Sequence, residues 1–212
     1  MALLGPPGCG KGTQGAVLKL KLQLAHISTG DLLREAVDHG TRVGLEAGKL
    51  MAEGKLVPDD LVLDLVRKRV EKEGAGYVLD GFPRTLAQAT GLDLITDDIG
   101  QGLDHVVSLS VPREEVARRL GGRKCCPDCG RLYHQTFSPP REPERCDDCG
   151  SGLVIRDDDR EETVLERIRV YECQSAPLLG FYEEKGLLRD VDGSGAPEEV
   201  TARLLSAVGH ER

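Results

Sequence analysis

Near its start the chain reads Gly5-Pro6-Pro7-Gly8-Cys9-Gly10-Lys11-Gly12-Thr13, a combination of residue types suited to holding phosphate. Glycines carry no Cβ, so successive backbone N–H groups can converge on an anion, and Lys11 adds a mobile positive charge. A helix beginning near Gly12 would point the positive end of its dipole at the same anion. The usual pattern has Ser or Thr directly after the lysine, whereas here Gly12 intervenes before Thr13. Apolar Met1–Leu4 before the loop and Ala16-Val17-Leu18 after it read as a strand and a helix, the setting such a loop requires. The alternative is a glycine cluster at an ordinary strand–helix turn. The flanking pattern favours phosphate, and with it a nucleotide.

A second group of residues suits a metal. Cys126-Pro127-Asp128-Cys129-Gly130 and Cys146-Asp147-Asp148-Cys149-Gly150 form two knuckles with 16 residues between them. Two residues between cysteines bring both sulfurs to one side of a tight turn, and the following glycine can take the positive φ that turn wants. Together Cys126, Cys129, Cys146 and Cys149 make a closed four-thiolate cage of the structural zinc kind, with no coordination position left for catalysis. Disulfides or free thiols are the alternatives, disfavoured in a reducing compartment, and iron is the alternative metal. Cys9, Cys125 and Cys173 fall outside the pairs. Cys173 reads as a helix-face or core thiol, and Cys9 puts an oxidisable group in the phosphate loop. A zinc ribbon that grips nucleic acid is the rival reading of this stretch, with Arg131, Tyr133, His134, Phe137, Arg141 and Arg145 available to it. Asp128, Glu142, Glu144, Asp147 and Asp148 dilute that charge.

Arginines beside turns form the third group. Asp80-Gly81-Phe82-Pro83-Arg84 follows a strand, at the edge where open α/β sheets bind ligands. Ser28-Thr29-Gly30-Asp31 precedes a helix carrying Arg34, Arg119 and Arg123 are spaced like neighbours on one helix face, and Arg156 and Arg167 flank Asp157-Asp158-Asp159. Any one of them alone reads as a solvated surface arginine. Beside a phosphate loop, the set suggests two phosphorylated ligands held by cationic clamps. Phosphoryl transfer depends on positioning and charge neutralisation, so no Ser-His-Asp or Cys-His constellation is needed. Of the five histidines, His134 belongs with the cysteine insert and the other four read as surface or core residues.

These residues must be positioned by an α/β fold, because apolar bursts alternate with helical patterns. Strands are expected at Ala2–Leu4, near His26–Ser28, and at Gly76–Asp80, His105–Val111 and Leu187–Val191. The first is short enough that a residue or two preceding it would lengthen it. Helices are expected over Lys11–Leu24, with Val17, Leu20 and Leu24 on one face, and Leu61–Glu73, with Leu61, Leu65 and Lys68 at turn spacing. Pro112 and Pro197, each followed by glutamates, read as first helical residues. Thr163–Glu172 reads as a helix running toward a break at Pro177. Residues 29–73 look almost wholly helical, and 122–157 look like a small inserted domain hinged at Gly121-Gly122.

The 212 residues suffice for a full-sized domain with insertions. The net charge of −8 and the scarcity of aromatics, with no Trp, three Phe and four Tyr, oppose nucleic-acid binding. No apolar run approaches the about 20 residues of a membrane span, and Met1–Leu4 is too short for a signal-peptide core. A cytoplasmic chain is therefore expected, and a monomer, since no exposed apolar stripe is evident.

Taken together, Gly5–Thr13, Ser28–Asp31, Asp80–Arg84 and Gly122-Arg123 resemble the signature segments of adenylate kinases, in order and at suitable spacing. Gly12 before Thr13 matches that family's own loop variant. The knuckles, Tyr133-His134 and Arg156-Asp157-Asp158 resemble the long zinc-carrying lid of its bacterial members, and the resemblance runs to Val191-Asp192-Gly193. It implies an α/β P-loop three-layer fold: a central parallel five-stranded sheet, a helical NMP-binding insertion and a small zinc-bearing lid. The implied division is a core of 1–28, 74–121 and 158–212, an insertion of 29–73 and a lid of 122–157. It implies Mg2+-dependent conversion of ATP and AMP into two ADP, with lid closure excluding water and a structural Zn2+ on the four cysteines. Gly8, Gly10, Lys11, Gly12, Thr13, Arg119, Arg123, Tyr133 and His134 would bind ATP. Thr29, Gly30, Arg34, Val57, Gly81, Arg84, Gln88, Arg156 and Arg167 would bind AMP, with Gln88 reading the adenine edge. Lys11, Arg84, Arg123, Arg156 and Arg167 would be catalytic, and Asp80 would hold Mg2+ through water. A UMP/CMP kinase or a GTP-preferring relative shares the same phosphate machinery and is the second enzyme reading.

Overall fold

The structure, a computed structural model, describes residues 1–73 and 76–210. The first half of the chain runs β1 (Ala2–Leu4), α1 (Lys11–Leu22), β2 (Ala25–Ser28), α2 (Thr29–Asp38), α3 (Arg42–Ala52), α4 (Asp59–Glu73), β3 (Tyr77–Asp80), α5 (Leu86–Asp98) and β4 (Val106–Ser110). The second half adds α6 (Arg113–Gly121), β5 (Arg123–Cys125), β6 (Leu132–His134), α7 (Glu161–Val170), α8 (Leu178–Glu184), β7 (Leu188–Asp192) and α9 (Pro197–Ala207). All five expected sheet strands form, with ends displaced by at most one residue.

Successive strand residues face opposite sides, and both sides are apolar here. Ala2, Leu4, Ile27, Tyr77, Leu79 and Val106 pack into one core with residues such as Leu33, Ala47, Val66, Leu92 and Leu178 of the flanking helices. Leu3, Val78, Val107, Leu109 and Val191 pack into another with Leu18 of α1 and Val200 and Leu204 of α9. The result is three layers about a five-stranded sheet in the order β2-β3-β1-β4-β7, every neighbouring pair parallel. Short β1 lies at the centre and is wholly buried, so its three residues are enclosed by neighbours on four sides.

Several helices sit differently from the sequence expectation. In α1 the buried residues are Gln14, Gly15 and Leu18, while Leu20 is 79% exposed. Gln14 turns inward because its amide is held by Pro197 O and the Thr201 hydroxyl of α9, at 3.0 and 2.8 Å. In α4 the buried stripe is Val62, Val66 and Val70; Leu61 and Leu65 are half-buried and Lys68 is exposed. Pro112 is the N-cap of α6 rather than its first helical residue, whereas Pro197 does start α9. Helix α7 begins before Thr163, and its regular coil ends at Val170 in a π turn over Tyr171–Ser175, on which Cys173 is exposed.

Residues 29–73 carry α2, α3 and α4, and no strand. The cysteine insert is a β5–β6 antiparallel hairpin with a further bridge from Cys125 to Val154, around a small core of Cys126, Tyr133, Cys146 and Leu153. The expected core segments 74–121 and 158–212 begin and end on residues 74 and 212, which lie outside the described residues. Among the described residues no helix is long and apolar enough to cross a membrane.

Candidate active site

A parallel sheet delivers all its strand ends to one edge, and the site is built there. Leaving β1, the chain turns through Gly5, Gly8 and Gly10, all at positive φ. Gly10, with φ 103°, is the N-cap of α1, so a side chain there would strain the turn that presents the helix N-terminus to the cavity. Lys11 folds back over the loop, its Nζ donating to Gly5 O at 2.7 Å and Pro6 O at 2.8 Å. Cys9 is 1% exposed, and its Sγ lies 3.5 Å from Lys11 Nζ, so the thiol packs beneath the loop instead of facing solvent. Asp80, at the end of β3, lies beside Gly12 and bonds His26 Nε2 at 3.3 Å. His26 does not line the cavity itself but stands behind it, against Asp80.

Next to the same strand end, the Thr29 hydroxyl donates to Gly81 O at 3.0 Å and Arg84 Nε donates to Gly81 O at 2.8 Å. Gln88 is buried, its Oε1 accepting from Arg84 N and its Nε2 donating to Asp59. Burial, joined by the positive charges of Arg167 and Arg34, pulls the Arg84 guanidinium down to about 10 against the opposing pull of Asp80 and Asp158. The shift reports first the burial of this guanidinium and second the positive charges beside it, a setting that suits phosphate.

The remaining arginines gather on two aspartates. Arg123 makes a two-pronged pair with Asp159, its Nε at 2.6 Å, and Arg167 reaches Asp159 at 2.9 Å and Asp158 at 3.0 Å. The Asp159 side chain is fully enclosed. Burial opposes the charge on Asp158, but Arg167, Arg34, Arg123 and Arg156 outweigh it and hold that carboxyl below its usual range. Arg34 bonds Asp31 at 2.6 Å and approaches Asp158 at 4.0 Å, while Arg156 approaches Asp31 at 3.9 Å. Arg119 and Arg123 do not share a helix face as their spacing suggested, because α6 ends at Gly121. Arg119 instead bonds Glu115 and Gly193 O, the latter at 3.0 Å, with its guanidinium beside the Phe137 ring.

In the insert the four cysteine sulfurs all lie within 4.8 Å of one another, with Cys126–Cys149 at 3.3 Å and Cys129–Cys146 at 3.5 Å. Sulfurs about 2.3 Å from one tetrahedral zinc would be about 3.8 Å apart, so the donor set fits that ion. Tyr133 is buried against it, donating to Cys146 Sγ at 3.4 Å and accepting from Asp147 N at 2.7 Å. His134 Nδ1 accepts from the backbone N–H groups of Thr136 and Phe137, which leaves Nε2 to donate to Arg118 O at 3.3 Å. A Cβ on Gly122 would lie 2.5 Å from Nε2 of that ring, so the absence of a side chain there makes room for it.

One continuous cavity of about 970 Å3 joins these parts. Every residue assigned to nucleotide binding from the sequence lines it, from Gly8 in the phosphate loop through Asp80 and Gln88 to Arg167, and the four cysteines do not. Asp158 lines it too. His26, Asp59 and Asp159 were not singled out from the sequence, and their partners Asp80, Gln88 and Arg123 are 54, 29 and 36 residues away. Only the run Asp157-Asp158-Asp159 between two arginines hinted at the third.

The family model for adenylate kinase matches residues 3–187. A protein of Syntrophotalea carbinolica is 48% identical over 211 residues, covering 99% of this chain and 98% of the relative. One from Methanocella arvoryzae is 48% identical over 208 residues, 97% of this chain and 96% of its own. One from Archaeoglobus fulgidus is 47% identical over 210 residues, 96% and 97% respectively. All three are named adenylate kinase.

Proposed function

Since this chain belongs to the adenylate kinase family, we propose that it catalyses reversible phosphoryl transfer from ATP to AMP, giving two ADP. The observation that carries the reading is the shared cavity: a phosphate loop at one end, the Thr29–Arg84–Gln88 pocket at the other, and arginines where they meet. In-line transfer through a loose transition state asks the protein for alignment and positive charge, not for a base.

On this reading Gly8, Gly10, Lys11, Gly12 and Thr13 hold the donor phosphates, and Arg119, Tyr133 and His134 border the donor nucleoside. Tyr133 acts through its ring edge, since its hydroxyl is committed to Cys146 and Asp147. Thr29, Gly30, Arg34, Val57, Gly81, Arg84 and Gln88 form the acceptor pocket. Arg123, Arg156 and Arg167 neutralise the phosphoryl group in transit, and Arg156 Nε, buried without a partner among the described residues, is suited to that work. Asp80 is the residue to hold Mg2+ through water, because its carboxylate sits beside the phosphate loop with only one oxygen committed to His26. The ion, when bound, spreads the charge of the phosphate oxygens.

Cys126, Cys129, Cys146 and Cys149 hold Zn2+ as a structural ion. The insertion of 29–73 and the lid of 122–157 close over the core of 1–28, 74–121 and 158–212, excluding water that would otherwise hydrolyse the donor. The enzyme works as a cytoplasmic monomer.

The test is diphosphate formation from Mg-ATP with AMP, CMP, UMP or GMP, alongside Lys11→Ala. The expected result is strong preference for AMP and a loss of about 10^3-fold in turnover in the variant. Preference for a pyrimidine would overturn the acceptor assignment, and no transfer to any acceptor would overturn the reading as a whole.

A further inference from the structure

The buried amide of Gln88 is held at both ends by groups that cannot exchange roles. Arg84 N, which can only donate, meets Gln88 Oε1 at 2.8 Å. The Asp59 carboxylate, which accepts, meets Gln88 Nε2 at 2.7 Å. The two atoms of an amide are nearly the same size, so without such partners the group can turn over and exchange donor for acceptor. Asp59 is itself fixed: its other oxygen accepts from the Thr85 hydroxyl at 2.9 Å, and that hydroxyl accepts from Gln88 N at 3.1 Å. The ring of contacts joins the first residue of α4 to the first turn of α5 across 29 residues of sequence. Gln88 lines the cavity and Asp59 does not.

An amide has two N–H groups and two carbonyl lone pairs. With one of each engaged, Gln88 has one donor and one acceptor left, in a fixed left-to-right order. Adenine offers a matching pair, the N6 amino donor beside a ring-nitrogen acceptor. A 6-oxopurine carries an acceptor at position 6 instead, so it would need the amide reversed. Reversal would set Gln88 Nε2 against the Arg84 N–H and Oε1 against the carboxylate, two repulsive contacts in a buried place, where unmatched polar groups are costly. We infer that Asp59 is a positioning residue that locks the Gln88 amide in one sense and thereby sets the enzyme's discrimination between 6-amino and 6-oxo purine monophosphates. This rests on the reading of Gln88 as the residue facing the acceptor base.

The experiment measures kcat/KM for AMP, IMP and GMP, with ATP as donor, in the wild type, Asp59→Ala, Asp59→Asn, Asp59→Leu, Gln88→Ala and the double variant Asp59→Ala/Gln88→Ala. Asp59→Ala is expected to lower the AMP:IMP and AMP:GMP ratios at least about tenfold, mainly through KM for the monophosphate, with KM for ATP changed less than about twofold. Asp59→Asn keeps an acceptor oxygen and is expected to retain most of the selectivity, whereas Asp59→Leu, which fills the space without an acceptor, is expected to lose it as Asp59→Ala does. Selectivity kept by Asp59→Leu would overturn the lock. In the Gln88→Ala background, removing Asp59 is expected to leave the ratios unchanged, because a residue that acts through Gln88 has nothing left to act on. If Gln88→Ala keeps the wild-type ratios, the reading of Gln88 fails and the inference with it. If Gln88→Ala loses selectivity while Asp59→Ala keeps it, the reading stands and the lock is overturned. Equal losses for Asp59→Ala in both backgrounds would likewise overturn it, by showing that Asp59 works independently of the amide.

Discussion

The sheet and the cysteine insert are held together in opposite ways. The sheet is enclosed by two extensive apolar cores, and even its shortest strand, Ala2–Leu4, has almost no exposed surface. The insert buries little beyond Cys126, Tyr133, Cys146 and Leu153. At about 25 cal/mol per Å2 of apolar burial, so few side chains cannot offset about 1.5 kcal/mol of ordering entropy per residue. On the proposed reading, a metal on the four converging thiols would supply what the insert's apolar surface does not. One half of the site is thus fixed by the global fold, while the other rests on a small local core. The phosphate loop belongs to the first half, Tyr133 and His134 to the second, and Asp158, Asp159 and Arg167 lie where the halves meet.

Arg167→Ala strikes at that meeting point and should have the largest effect there, a loss of about 10^2–10^3-fold in kcat. It also strips a partner from the enclosed Asp159, so a fall in Tm should accompany the loss. Steady-state kinetics with a thermal melt would check both, and unchanged turnover would remove Arg167 from the transfer site. Chelation, or Cys146→Ser, should separate the halves: amide exchange should rise across 122–157 while the sheet stays protected. Thermal stability should fall by several degrees, with turnover at moderate temperature reduced less than about tenfold. An immediate, large loss of turnover in a folded, metal-free protein would show that the insert's metal does more than hold its fold.

On the sheet side, a Cβ on Gly15 would lie 2.3 Å from His26 Nε2. Gly15→Ala should therefore push His26 away from Asp80 and cost about 1–3 kcal/mol, readable from a denaturant midpoint. The smallest effect concerns pH and belongs to the insert. Burial, reinforced by Arg118, Arg119 and Arg123, holds the His134 imidazole below its usual value of 6.5. The folded chain then binds fewer protons than the unfolded one, so this contribution is complete above about pH 6.5 and drains away as pH falls through the lowered value. His134→Gln should flatten the difference in Tm between pH 7.5 and pH 5.5 if the histidine is its source.

What could be read from the sequence follows from how local the determinants are. The knuckles, the phosphate loop and the turn after β3 are each set by residues within a few positions of one another, and their chemistry was legible. The inner strands β1, β3 and β4 were legible too, because burial on both faces leaves apolar runs, while the partly buried edge strands β2 and β7 showed only as shorter apolar stretches. The phase of α1 was not: Leu20 points to solvent because Gln14 is drawn inward by Thr201, 187 residues away. In α4 the β-branched Val62, Val66 and Val70 took the buried stripe in place of the leucines, a choice made by what packs against the helix. His26 and Asp59 could not be singled out for the same reason, since each acquires its role from a partner that only the fold brings near.

The posture of Lys11 bears on turnover. Its ammonium already donates to Gly5 O and Pro6 O, with Cys9 Sγ as a third, weaker acceptor. A phosphate that recruits this lysine exchanges one set of acceptors for another, so the ground-state complex gains only the difference. The same carbonyls stand ready to reclaim the ammonium when product departs. On the proposed reading, a loop that competes with its own ligand in this way would temper affinity and ease release, which would suit an enzyme that must let go of a nucleotide as readily in one direction of the reaction as in the other.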